Sequence, residues 1–421
     1  MVRPMAVPIT ETPETDEHQA ATPKAGAVMG TLFLVFFLAT SDQFALSPLL
    51  PLIAADLGLD EGRVGAMMFP AYALAAAAAA LLIGPISDKY GRRRFLLYAS
   101  LLFGSSLLLI ALFKNAYLLV AMRVLTGLAA GTFSTCSIAY VADYFPYKRR
   151  GAAMSMVQAG YFAALVIGVP VISFIAKWQQ GYRPGFAFLA ALSAVAFFLV
   201  LWVLPEDRHL MAEDISERVA RRFERIRLAL SNKERVAAVV AAFLVSAGFV
   251  GFFSYLGAWL RDALKLDTDA SGLFFVIVGV AALVGALVGG RVADRFGKRS
   301  ISIFSTIVLA AMLFVIPRLG WGALLFITFL TASLAFAFRQ GPLQALATHM
   351  VPRRVQGAFV SVRNTASQIG IAVSTAASGY LYDSQNMGYA AVGIFSGLTT
   401  LAAAIFIFMM KEPRAESTSN S

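Results

Sequence analysis

Three of the ionisable side chains inside this chain's long apolar stretches are candidates for chemistry, and each is costly to hold there and needs compensation. Asp42 sits about 15 residues into the first stretch, roughly 22 Å along a helix at 1.5 Å per residue, and so near the middle of a bilayer. It is the one carboxylate placed deep in any stretch. A carboxylate removed from water takes up a proton more readily, which makes Asp42 the candidate proton-binding group. Its alternative is a structural partner to an arginine or to a polar cluster with Ser41 and Gln43. Arg123 lies one to two turns inside the fourth stretch. It is placed either to partner Asp42 or to reach outward to lipid headgroups. Arg339 stands in the run Phe338-Arg339-Gln340-Gly341-Pro342 of the tenth stretch, beside a helix-distorting pair. It is a candidate contact for an anionic substrate group, or else part of an inner gate.

The remaining polar groups exclude more than they specify. His18, His209 and His349 fall in a tail, a linker and a helix end, so no histidine relay is available at mid-depth. Cys136 is the one cysteine, which rules out a disulfide framework or a cysteine metal site. The apolar stretches hold no Ser/His pair, paired aspartates or His/Glu cluster, and the chain has no Gly-rich loop ending in Lys and Ser/Thr. Intramembrane catalysis, a metal, a cofactor and ATP drive are therefore not expected. Gln158, Asn364, Gln368 and Tyr255 remain as candidate substrate contacts. Helix-to-helix hydrogen bonding is the commoner use of such amides, and membrane-belt packing the commoner use of such a tyrosine.

The elements that must position these groups are membrane spans. Of 421 residues, 59% are hydrophobic and 14% charged, against about 25% charged in a soluble domain. Twelve stretches approach the ~20 apolar residues that cross a hydrocarbon core: 27–50, 63–84, 95–113, 116–140, 151–176, 185–204, 236–260, 271–290, 300–317, 321–345, 357–381 and 388–410. With both termini on one side, 26 Lys and Arg fall there, 7 on the other side and 2 inside the spans. That asymmetry makes the basic side cytoplasmic, and explains the net charge of +11 without nucleic acid. The expected location is the inner (plasma) membrane, multi-pass, with both termini cytoplasmic. Residues 1–26 and 412–421 read as polar tails, and the acidic lead-in to Ala27 argues against a signal peptide. Residues 205–235 carry Ile215, Val219, Phe223, Ile226 and Leu230 at helical spacing among many arginines, an amphipathic linker helix for the membrane surface. It separates a bundle over 27–204 from a second over 236–411.

The two bundles repeat. Gly84, Asp88, Gly91, Arg92 and Arg93 return as Gly290, Asp294, Gly297, Lys298 and Arg299, each 206 residues on, and Pro146, Gly151 and Ser155 return as Pro352, Gly357 and Ser361 at the same offset. Six spans per half give a parallel repeat about an axis along the membrane normal. At these residues the chain resembles the major facilitator superfamily. Both loops, Gly84-Pro-Ile-Ser-Asp88-Lys89-Tyr-Gly91-Arg92-Arg93 and Gly290-Arg291-Val-Ala-Asp294-Arg295-Phe-Gly297-Lys298-Arg299, are similar to its signature loop. Arg123-Val-Leu-Thr-Gly127 is similar to its span-4 motif, a resemblance that implies that Arg123 tunes proton release from an acidic partner, with Asp42 the candidate.

The resemblance implies an all-α protein of twelve transmembrane helices in two pseudo-symmetric six-helix bundles. It also implies gate pairs: Asp88 with Arg363 at the start of span 11, and Asp294 with the Arg149–Arg150 region near span 5. Arg92 and Lys298 complete the two gate loops. The alternative for the basic residues is topology anchoring alone. Span 5 has Gly168-Val169-Pro170 where the family's antiporters have an adjacent Gly-Pro pair, a departure that weakens the case for export. The segment from Phe253 to Asp262 resembles drug and metabolite efflux members.

The function expected is proton-coupled efflux of a small organic or amphipathic solute by alternating access, with lipids around a monomer. The alternative is import of a small solute, anions among the candidates, by a proton symporter or facilitator. A non-transporting sensor is a third reading. A cavity lined by acids and aromatics would favour cations, and one faced by Arg123 and Arg339 would favour anions.

Overall fold

The computed structural model describes residues 25–145, 147–206, 224, 226–352, 355–383 and 388–411. Helices account for nearly all of them, and no strand occurs among the described residues. In the first half, span 1 is Ala25–Leu57, span 2 Glu61–Tyr90, span 3 Arg92–Leu112 and span 4 Ala116–Tyr144. Span 5 runs through Tyr147–Ala163, Ala164–Gly168 and Val169–Trp178, and span 6 is Arg183–Val203. In the second half, span 7 is Lys233–Ser254 with Leu256–Leu264, span 8 Thr268–Phe296 and span 9 Lys298–Val315. Span 10 is Ala323–Phe338 with Gln340–His349, span 11 Gln356–Asp383 and span 12 Gly388–Phe408. Eleven of these are long and apolar enough to cross a membrane. Span 11 is the more polar twelfth, because it packs between spans 2 and 7 and carries Arg363, Asn364 and Gln368.

Hydropathy marks only the apolar middle of each span, so the helices overrun the expected limits. Span 2 continues through the signature residues to Tyr90, and span 3 begins at Arg92. The whole connection is Gly91 at φ 96°, and Gly297 repeats it at φ 92°. Both lie in a region that side chains rarely enter, so the glycine of each signature is the turn itself.

Proline and glycine set the breaks. Span 5 loosens into a π-helical turn over Ala164–Gly168, just before Pro170, whose ring nitrogen has no proton to donate. Span 7 bends at Tyr255 and span 10 at Arg339, one residue ahead of the Gln340-Gly341-Pro342 start of its second segment. In span 1, Pro51 cannot bond the Ser47 carbonyl. Gly257 packs there, so closely that a Cβ would lie 2.4 Å from the Ser47 oxygen.

That contact marks the axis between the halves. The Ser47 hydroxyl donates to the Phe253 carbonyl at 2.9 Å, and the two positions are 206 residues apart. Repeat equivalents touch each other only on their own symmetry axis, so it runs between spans 1 and 7. At the end opposite the signature turns, here the far end, the halves are shut. Gly62 of span 2 meets Gly379 and Asp383 of span 11, Arg261 pairs with Glu61 at 2.6 Å, and Lys177 pairs with Asp267 at 3.4 Å. Most of the expected linker helix lies outside the described residues, as do both tails. Of the linker, residues 226–229 are helical, and Arg235 bonds the Leu228 and Met350 carbonyls at 3.1 and 3.0 Å.

Candidate functional site

Arg123 and Asp42 form a bidentate ion pair inside the first bundle. Nη1 reaches Oδ2 at 2.9 Å and Nη2 reaches Oδ1 at 2.8 Å, and the side chains are 1% and 0% exposed. Parallel charge-assisted bonds of this kind fix orientation as well as energy. Span 4 can hold the pair because Gly127, one turn beyond Arg123, lets span 2 approach until a Cβ would sit 2.2 Å from the Tyr72 carbonyl. Tyr72 in turn donates to the Ala39 carbonyl of span 1 at 3.2 Å. The guanidinium lies 5.2 Å from the Phe186 ring and 6.0 Å from the Tyr72 ring. Its Nε has no hydrogen-bond partner.

A central cavity of about 210 Å³ lies between the bundles. Gln43, Phe44 and Tyr161 face it from the first half. Val245, Ser246, Phe336, Gln340, Arg363, Ser367 and Gln368 face it from the second. It continues to Ala238 and Ala347, near the signature-turn ends of spans 7 and 10, so its long axis points away from the closed far end. A smaller crevice of about 10 Å³ shares Gln43, Phe44, Val250 and Ile371 with it and reaches Tyr72 and Arg123. That is about the space of one water. The ion pair is thus one water-sized step from the cavity.

The structure divides the other expected site residues. Gln368 lines the cavity, with a buried Oε1 that has no partner. Asn364 is half-buried on the same helix and is not among the residues lining the cavity, and Gln158 is exposed. Tyr255 is fully buried in the far-end seam, where it donates to the Thr375 carbonyl at 3.0 Å. The bend of span 7 turns it toward spans 2 and 11 and away from the cavity. Arg339 is fully buried behind the cavity wall, 3.4 Å from both the Thr306 hydroxyl and the Val245 carbonyl.

Among the signature residues, Asp88 bonds Arg92 at 2.8 Å, and Arg92 also pairs with Asp143 and the Ala139 carbonyl. Asp294 pairs with Lys298 at 3.4 Å. Arg363 donates to Gln344, so the expected Asp88–Arg363 contact is not formed in this conformation. The side chains of Arg149 and Arg150 lie outside the described residues. Sequence reasoning passed over Tyr161, Phe44, Phe336 and Gln340 as cavity residues, and it placed Arg363 at a gate. The 206-residue offset carried part of the signal. Tyr161 and Ser367 are equivalents and both face the cavity, while Arg363 stands opposite Val157.

The Major Facilitator Superfamily family model matches residues 32–375 and 238–421. The uncharacterized MFS-type transporter YceJ of Bacillus subtilis (strain 168) is 27% identical over 92% of this chain and 98% of its own length. The chloramphenicol resistance protein of Streptomyces lividans is 27% identical over 87% of this chain and 92% of its own. A crystal structure of a D-xylose-proton symporter superposes with a TM-score of 0.76, covering 92% of this chain and 98% of that one at 20% identity, which establishes likeness of fold.

Proposed function

This chain belongs to the Major Facilitator Superfamily of transporters, and we propose that it is a proton-coupled exporter of small organic, amphipathic solutes working by alternating access. The observation that carries the coupling is the buried Asp42–Arg123 pair beside a crevice that joins the cavity. While Asp42 is ionised the pair is neutral overall and braces span 1 against span 4. A proton on Asp42 removes the counter-charge and leaves Arg123 a lone buried cation, so the two protonation states favour different packings of the same bundle. The export direction draws support from the chloramphenicol resistance relative. The amphipathic solute fits a cavity lined by Phe44, Tyr161 and Phe336 together with three glutamine amides.

The basic excess puts the signature turns on the cytoplasmic face of the inner membrane. The closed far end then makes this conformation inward-facing. In the outward-facing state Asp88 and Asp294 exchange their partners four residues on, Arg92 and Lys298, for cations of the facing half. The test is solute counterflow in proteoliposomes with and without a pH gradient, for the parent and D42N. The parent concentrates solute against its gradient when the opposite compartment is acidic. D42N is expected to keep counterflow and lose that accumulation. Retention of full gradient-driven accumulation by D42N would remove Asp42 from the coupling step.

A further inference from the structure

The second bundle carries two cations that the proton step does not use. Arg363 lines the cavity, with Nη2 donated to Gln344 and, among the described residues, no partner for Nη1. Arg339 lies just before cavity-lining Gln340, fully buried, with two contacts of 3.4 Å and an unpartnered Nε. Among the described residues no carboxylate lines the cavity and neither arginine has an acidic partner. The first bundle does the reverse, since its buried Arg123 is neutralised by Asp42. At the repeat offset Arg363 stands opposite Val157 and Arg339 opposite Phe133. Both cations are therefore departures of one half from the shared scaffold.

Uncompensated cations at membrane depth require a counter-charge, and no described residue supplies one at this wall. We infer that the substrate supplies it: the cavity takes a small organic anion whose carboxylate or sulfonate meets the free edge of Arg363. The planar guanidinium can give such a group two parallel bonds, and Arg339, one layer behind, adds attraction without contact. The apolar body of the anion lies on Phe44, Tyr161 and Phe336. This class deepens the transport-site reading of the cavity and rests on it.

The test reads the sign of the cavity's field without knowing the natural solute. Single thiols are introduced at the cavity as S246C or S367C in a C136A background. Each is reacted in proteoliposomes with anionic sulfonatoethyl and cationic trimethylammonioethyl methanethiosulfonate, and rates are normalised to a free thiol in solution. An effective dielectric near 20 gives an anion preference of at least about tenfold beside one uncompensated charge. R363Q is expected to erase most of that preference, and R363K to keep it. A preference for the cation, or an anion preference unchanged by R363Q, overturns the inference. If R363Q does not fold, the sign of the preference in the R363-containing protein decides. Failure of both thiols to react with either reagent, while R295C at an exposed signature-loop position reacts, is a separate result. It removes the water-accessible transport cavity itself.

Discussion

Asp42 and Arg123 hold each other in a place where neither is tolerable alone, and their energetics differ from those of a surface pair. Removing one partner from a buried pair leaves an uncompensated charge and costs about 3–5 kcal/mol, whereas replacing both is often close to neutral. D42N is therefore expected to lower the stability of the purified protein by several kcal/mol, and D42N/R123Q to recover most of that loss. Denaturation of both variants in detergent checks the ordering. A double variant as unstable as the sum of its singles would show that the charges act independently. The side chains needed for this argument were legible in the sequence, because a lone carboxylate and a lone arginine in apolar stretches invite pairing. Arg363 was legible only as a charge. Counting it with the basic face hid that span 11 turns it into the cavity, a fact decided by helix rotation. The place of Tyr255 depends on packing in the same way, since the bend that aims it at the seam rests on contact with Gly65 and Gly379.

At the scale of elements, the far end closes because two helices from different halves touch through backbone. A Cβ on Gly62 would lie 2.4 Å from the Asp383 Cβ and 2.5 Å from the Gly379 carbonyl, and backbone cannot move aside as a side-chain tip can. G62V should therefore wedge spans 2 and 11 apart at that end and shift the population toward far-end-open states. The readout is labelling of T375C by an impermeant maleimide, with Thr375 fully buried in this conformation. Labelling should rise several-fold on G62V, and unchanged protection would mean that the seam is held elsewhere. E61Q is expected to act in the same direction, because it removes the charge from the part-buried Glu61–Arg261 pair, whose side chains are 11% and 41% exposed. Hydropathy located every span to within a few residues at most ends. It missed how far span 2 continues beyond Gly84, since the signature residues are polar yet helical to Tyr90. The breaks at Pro170 and ahead of Pro342 were visible as sequence, while the bend at Tyr255 has no such marker.

Across the whole molecule, the fold has one axis and two ends; the ion pairs described between the halves lie at the far end, and the cavity reaches toward the other. In the proposed mechanism the two halves tilt against each other across contacts such as Ser47–Phe253, so the far end opens as the signature-turn end closes. The Lys177–Asp267 contact joins spans 5 and 8 across the far end at 3.4 Å and offers a place to stop that motion. A K177C/D267C variant, in a C136A background, can be bridged by a short bifunctional methanethiosulfonate that reductant cleaves. Bridging should abolish solute counterflow and leave S246C as reactive as in the unbridged protein, because the cavity stays open toward the signature turns. Reductant should restore counterflow. The paired readout separates a stopped motion from a damaged protein: loss of both counterflow and S246C reactivity would indicate collapse of the cavity, and persistence of counterflow under the bridge would show that transport does not require the far end to open.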